Sequence, residues 1–301
     1  MKRAFTFILI TAAFAIASFS YRDDEAKILF VGDMFFDRYI RQVENNKGDG
    51  YVFSCLDIFL KDSDLVVGNL EGPITDNPSR SLGSEIGSPD NYVFTFPSGT
   101  AELLADHNIK LVNLGNNHIG NFGAEGIFST KKYLNKAGVK YFGGLGGELP
   151  VQADEQVYRT TLGGQGVSFI SYNEFGGDSP EKVSEKIMEE KEKGRAVFVY
   201  AHWGDEYVLP PERVKAAASL FAKSGADFII GSHPHVILPS EKIGNTVVYY
   251  SLGNFIFDQY WNKEVSTGLV LEIDIEGEPA NWRVIEHKVS LNRDGRTCLA
   301  N

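Results

Sequence analysis

The stretch DFIIGSHPHV, residues 227–236, decides how the rest of the chain is read. Its first half is a short run of Phe and Ile closed by small residues, the composition of a strand buried on both faces. In its second half Pro234 separates His233 from His235 and restrains the backbone, so both imidazoles sit on one short turn. A buried strand that runs straight into a polar turn points to an open α/β sheet. In such sheets ligands bind beyond the carboxyl ends of the strands, where side chains from several loops converge.

Outward from this segment the pattern repeats. Further strands are expected at ILFV (28–31), DLVVGN (64–69), IKLVNL (109–114), VKYF (139–142), VSFISY (167–172), AVFVYAH (196–202) and TVVYYS (246–251). GLVLEIDI (268–275) and WRVIEHKV (282–289) alternate apolar and polar residues and are expected to pair antiparallel. Helical periods fall between them at 37–46, 51–61, 98–107, 123–137, 180–193 and 211–224, several opened by Pro or Ser and closed by Gly138, Gly194 or Gly225. This alternation gives an α/β layered domain over 27–290, followed by a tail at 291–301. The loop at 76–95, rich in Ser, Gly and Pro, either moves or covers a site. The glycine run at 143–147 follows a strand but opens no helix, so it reads as a turn rather than a phosphate cradle.

The strand ends share a polar signature. They carry Asp33, Asn69-Leu70-Glu71, Asn116-Asn117-His118, His202, His233 with His235, and Asn254, so four of the six histidines lie in this set. Carboxylates and imidazoles gathered from separate elements are what a divalent-metal centre needs, and a bridging carboxylate lets two ions sit roughly 3.5–4 Å apart. One His-x-His alone is weak evidence; the ordered series at successive strand ends is far more specific. Arg38 is a candidate contact for an anionic substrate, and Trp203, Glu206 and Asn254 are candidate substrate-binding residues around the same loops. Each also has a plainer reading, as a packing residue or a solvated side chain. His107 and His287 carry no signal beyond structure.

The segments GDMFFDR, NLEGPIT, NNHIGNFG, AHWGDEY, GADFIIGSHPHV and YYSLGNFIFD, in that order over about 28–258, resemble the bacterial capsule-synthesis CapA proteins, which share the calcineurin-like metallophosphatase fold. The resemblance implies a four-layer α/β/β/α sandwich. It also implies that Asp33 and His235 hold one ion, that Asn117, His202 and His233 hold the other, and that Glu71 bridges them, with His118 as general acid. The expected cofactor is one or two divalent transition-metal ions, Mn, Fe or Zn. Two departures matter. Asp33-Met34-Phe35 lacks the second-position histidine of ordinary metallophosphatases, and Asn121 stands where many relatives carry an acid, so it cannot stabilise a charged His118 equally. The implied role is in making, attaching or exporting a capsular polymer such as poly-γ-glutamate, with a membrane capsule-synthesis complex as partner. A phosphoester is the other substrate class, and a hydrolase and a non-catalytic metal-binding accessory both remain open.

The overall balance restricts the partners. With 29 Lys and Arg against 40 Asp and Glu the formal net charge is −11, which makes nucleic acid a poor partner. Lys2 and Arg3 precede an uncharged apolar stretch, and charge returns at Arg22. That pattern predicts export, with residues 1–20 either a cleaved signal peptide or a retained membrane anchor, and the product in the cell envelope, anchored or secreted. The two cysteines, Cys55 and Cys298, fit no metal spacing. Cys55 is expected in the core face of a helix, with a disulfide to Cys298 as the alternative in an exported chain.

Overall fold

Strand β1 (Glu25–Met34) is buried at every residue from Ile28 to Met34, so its alternating side chains must meet apolar layers on both sides. In the computed structural model, which describes residues 25–145, 155–277 and 281–300, they do. Around β1 the first sheet runs β14 (Thr297–Leu299), β13 (Asn281–Leu291), β12 (Thr267–Glu276), β1, β2 (Leu65–Leu70), β3 (Ile109–Asn113) and β4 (Lys140–Phe142). A short β11 (Asn254–Ile256) pairs with β1 at its carboxyl end. The second sheet runs β5 (Val157–Leu162), β6 (Gln165–Asn173), β7 (Ala196–His202), β8 (Phe228–Ser232), β10 (Thr246–Tyr249) and β9 (Ser240–Ile243).

Three apolar layers separate four structural ones. Ile28, Phe30 and Val67 of the first sheet face Phe169, Phe198, Tyr200 and Phe228 of the second. Phe198 stacks on Phe30 and on Phe228, each at 5.2 Å between ring centroids. The opposite faces are covered by helices. Leu29, Val31 and Val66 meet α1 (Arg38–Lys47), α2 (Asp57–Lys61), α3 (Thr100–Asp106) and α4 (Gly123–Ala137) through Ile40, Leu60, Leu104 and Leu134. Val197, Val199 and Ile229 meet α5 (Pro180–Glu192) and α6 (Glu212–Lys223) through Val183, Ile187, Val214 and Phe221. The result is the four-layer α/β/β/α sandwich. Local chemistry fixes the helix ends as expected: Ser179 caps α5 ahead of Pro180, and Gly138 closes α4 in the left-handed conformation.

Several expectations change. The helix at 51–61 breaks into a single 3-10 turn at Tyr51–Phe53 and the short α2. Cys55 lies exposed between them and is bonded to Cys298, 243 residues further along, so it is a cross-link and not a core residue. The tail begins inside β13, and its last turn of chain adds β14 antiparallel to β13, with Ser290 opposite Cys298. The 76–95 loop is tied down on the buried carboxylate of Asp37, whose Oδ2 accepts from Ser81 Oγ (2.8 Å) and from the backbone N–H of Thr95 (3.0 Å). At the glycine run, Gly143 packs so closely on the Ser171 hydroxyl that a Cβ would lie 2.4 Å from it, while residues 146–147 lie outside the described ones. No helix among the described residues is long and apolar enough to cross a membrane, and the apolar stretch before Arg22 lies outside them.

Candidate metal centre

Parallel pairing of β1 with β2 and of β7 with β8 brings four strand ends to one rim of the sandwich. The β1 ladder shifts register between Phe30 and Asp33, which re-aims Asp33 towards the inter-sheet edge. Gly32 permits this approach, since a Cβ there would lie 1.9 Å from the carbonyl of Gly253, the group that accepts from Asp33 N–H. Gly231 plays the same part before the histidine turn, with Tyr250 O 2.1 Å from the missing Cβ. His233 (φ 95°) and His235 (φ 58°) both have positive φ, a conformation that costs roughly 1–3 kcal/mol per residue and persists only where the surroundings impose it.

The rim gathers Asp33, Glu71, Asn117, His202, His233 and His235. Glu71, His233 and His235 each offer a donor atom, all within 4.8 Å of one another, and all three side chains are buried. His202 Nε2 stands 2.8 Å from Asn117 Oδ1, and the His202 and His233 rings are 4.8 Å apart. Asp33 Oδ1 accepts from Asn69 Nδ2 (2.8 Å) and its Oδ2 from the backbone N–H of His233 (3.1 Å). Both oxygens of Glu71 and Nδ1 of His233 are buried without a hydrogen-bond partner among the described residues. An unpartnered buried carboxylate carries a full desolvation penalty, which a divalent cation relieves. The residues present therefore fit such an ion.

Electrostatics agree. Burial raises the Asp33 carboxyl above its ordinary range, against the pull of Asn69 and the His233 N–H. Glu71 is also pushed well above its ordinary value, by burial and then by the charge of Asp33. Burial lowers His233 to about 4 and His235 to about 3, and it holds His202 well below the usual imidazole value. The imidazoles are thus neutral at pH 7, the form that ligates metals.

Residues 27–259 match the family described as bacterial capsule synthesis protein PGA_cap. The chain belongs to that family. It is 32% identical over 267 residues to the PGA biosynthesis protein CapA of Bacillus subtilis (strain 168), covering 83% of this chain and 68% of the relative. To the capsule biosynthesis protein CapA of Bacillus anthracis it is 30% identical, covering 85% of this chain and 66% of the relative. The chain thus spans about two thirds of the length of these relatives. Among solved structures, a 5'-nucleotidase precursor from Thermus thermophilus aligns with a TM-score of 0.49 at 14% identity, over 87% of this chain and 54% of that one. Zinc-complexed Vps29 from Entamoeba histolytica aligns with a TM-score of 0.33 at 12% identity, over 78% and 96%. These likenesses are faint, and the architecture stands on its own strand order.

In this PGA_cap protein the remaining expected site residues meet the centre unevenly. Trp203 is buried in the layer under α5 and α6, donating from Nε1 to Tyr250 O (3.0 Å), so it packs there as a core residue. Arg38 is held bidentately by Asp258, at 2.6 and 3.0 Å, with its guanidinium 4.6 Å from the Phe35 ring. Glu206 is exposed. Asn254 is buried and contacts His235 rather than open space. His118 lies under Phe94 (4.1 Å between centroids), and Asn121 Nδ2 stands 3.3 Å from its Nδ1 while donating to Tyr92 O. Burial lowers His118 to about 3, with His233 adding to the effect.

Sequence reasoning placed Asn69 among the strand-end residues but gave it no role; its Nδ2 also lies 3.3 Å from His202 Nδ1 and so joins the two halves of the centre. Asn116 supports it, donating to Asn69 Oδ1 (3.1 Å) while accepting from the N–H groups of His118 and Ile119. Phe175, on the loop after β6, covers His233 at 4.4 Å and was missed. The available signal was an asparagine closing an otherwise apolar strand, where only a partnered polar group is tolerated.

Proposed function

We propose that this chain works at the cell envelope in making, attaching or exporting a capsular polymer such as poly-γ-glutamate, and that its centre assists hydrolysis of an amide-like or phosphoester bond. Membership of the capsule-synthesis family supports the first part. The observation that carries the second is the buried Glu71 carboxylate without a partner among the described residues, beside His233 and His235. Glu71, His233 and His235 would hold one or two ions of Mn, Fe or Zn, since mixed oxygen and nitrogen donors suit these metals. Such an ion supplies Lewis acidity and neutralises charge that develops at the bond under attack.

The chain's own residues supply the rest. Asn69 ties the Asp33 and His202 sides together, and Phe175 keeps bulk water from His233. A cavity of about 410 Å3, walled by Tyr207, Val236, Ile237 and Val265, lies next along the chain from His235 and carries one lysine, Lys263, beside one acid, Glu264. An anion arriving next to His118 favours the charged imidazole, which then has a proton to give to the leaving group. A non-catalytic reading, in which the ion only holds polymer or the membrane complex, is favoured by Arg38 and Trp203 being occupied internally.

Two variants separate these readings on protein recovered from the envelope fraction, where export places it; a chain that stays cytosolic removes the envelope role. His118→Ala is expected to keep its metal and to lose roughly 10²–10⁴ in hydrolytic rate in a screen of γ-glutamyl polymers and phosphoesters. His233→Ala is expected to lose metal and turnover together. Full activity in His118→Ala, or no turnover by the unaltered chain, leaves the accessory role. Unchanged metal in His233→Ala refutes the centre as drawn.

A further inference from the structure

The amide of Asn254 determines which edge of His235 can face an ion. Its Nδ2 points at three acceptors, His235 O (3.3 Å), Gln259 Oε1 (3.0 Å) and Val265 O (2.9 Å), so the atom 2.9 Å from His235 Nδ1 is its Oδ1. An amide oxygen only accepts, which places the ring proton on Nδ1 and the lone pair on Nε2. Nε2 is the edge turned to Glu71, 3.6 Å from Oε1. Asp33 lies on the other edge, with Oδ2 3.5 Å from the protonated Nδ1.

An N–H cannot ligate a cation, so Asp33 and the facing nitrogen of His235 form no chelate. Asp33 serves instead as an acceptor, taking Asn69 Nδ2 on one oxygen and the His233 backbone N–H on the other. Glu71 has neither oxygen engaged among the described residues. Where a second nitrogen ligand would follow Asp33, Phe35 is wholly buried, 4.7 Å from both Phe94 and Phe257, with the Arg38 guanidinium over its face.

We propose that the centre takes a single divalent ion, held by Glu71, His233 and Nε2 of His235, with Asp33 acting as a positioning residue that anchors the histidine turn. This rests on the reading that the centre binds metal. His233 is held through its own backbone N–H and His235 through Asn254, so both imidazoles are aimed before an ion arrives.

The test uses the full-length chain, stripped of metal and titrated with Mn2+, with bound metal measured by elemental analysis and its environment by electron paramagnetic resonance. One ion per chain is expected, with an uncoupled signal that excess Mn2+ does not change. Electron–nuclear double resonance is expected to show strong carbon-13 coupling in protein labelled at Glu carboxylates and none in protein labelled at Asp carboxylates. Asp33→Asn is expected to keep one ion with an altered Mn2+ line shape and an affinity weaker by roughly 10–100-fold. Two equivalents with an exchange-coupled signal, or strong coupling from labelled Asp, overturns the proposal while metal binding stands. No bound ion at all overturns the metal reading with it. Because the labelled wild-type chain reports directly, the outcome does not depend on the variant folding.

Discussion

Glu71 and Glu190 are both buried glutamates, and the chain treats them in opposite ways. Glu190, near the end of α5, accepts from Arg159 Nη2 (2.9 Å) and Lys193 Nζ (2.7 Å) on one oxygen, and from Arg159 Nε (3.0 Å) and Ser168 Oγ (2.7 Å) on the other. Burial alone would raise its pKa, but these bonds outweigh it and hold the carboxyl at about 2. Glu71 has burial and the neighbouring charge of Asp33 and no donor among the described residues, so it moves the other way. A buried acid satisfied by its own chain ties the helix to its sheet. One left unsatisfied weakens the empty fold and is retained for something that arrives later.

The largest effect that would break this contrast is on metal affinity. Glu71→Gln is expected to weaken binding by at least about 100-fold, since even outer partners of metal ligands are worth roughly 10–100-fold. The same substitution is expected to stabilise the metal-free chain, because a neutral amide replaces an unpartnered buried charge. Metal titration and urea midpoints measure the two parts. Wild-type affinity with reduced stability in this variant would make Glu71 an ordinary structural acid.

How much of this could be read in advance depends on sequence distance. The helices at 37–46, 123–137, 180–193 and 211–224 have boundaries within a residue of α1, α4, α5 and α6, because caps and periodicity are local. The placement of Glu71, His202, His233 and His235 at strand ends was equally local. The role of Asn69 was not, because it needs the parallel register that sets Asn69 opposite Asp33. Arg38 finds Asp258 220 residues away, and Cys55 finds Cys298 over 243, pairings that no local pattern encodes. Trp203 could have been placed correctly, since it follows His202 at the end of β7 and must face the opposite side of the sheet.

The next effect lies in pH dependence, where the two acids are expected to act with opposite sign on the metal-free chain. Glu190 has a folded pKa depressed to about 2 from an ordinary 4.5. Its contribution is therefore complete above about pH 4.5 and is lost as pH falls towards 2. Glu190→Gln is expected to flatten that acid limb and to cost about 2 kcal/mol at neutral pH, the scale of charged hydrogen bonds. Glu71 has a raised folded pKa, so its contribution is present below the ordinary carboxylate value and is lost as pH rises through the raised one. Glu71→Gln is expected to remove that decline. Urea midpoints across pH for both variants check the signs, and variants that bend the same limb would end the contrast.

The smallest effect sharpens the comparison by asking how far Glu190 is over-determined. Lys193 sits three residues along from Glu190, and its side chain is 53% exposed, so water already competes for the ammonium. Arg159 is less exposed, at 35%, and contacts both oxygens, while the Ser168 hydroxyl is wholly buried. Removing Lys193 leaves each oxygen with a donor, so no buried acceptor is orphaned. Lys193→Ala is therefore expected to cost under about 1 kcal/mol at neutral pH, as exposed ion pairs do, and to leave most of the acid limb in place. A loss as large as that of Glu190→Gln would mean that Glu190 depends on one exposed lysine and stands closer to Glu71 than its bonding implies.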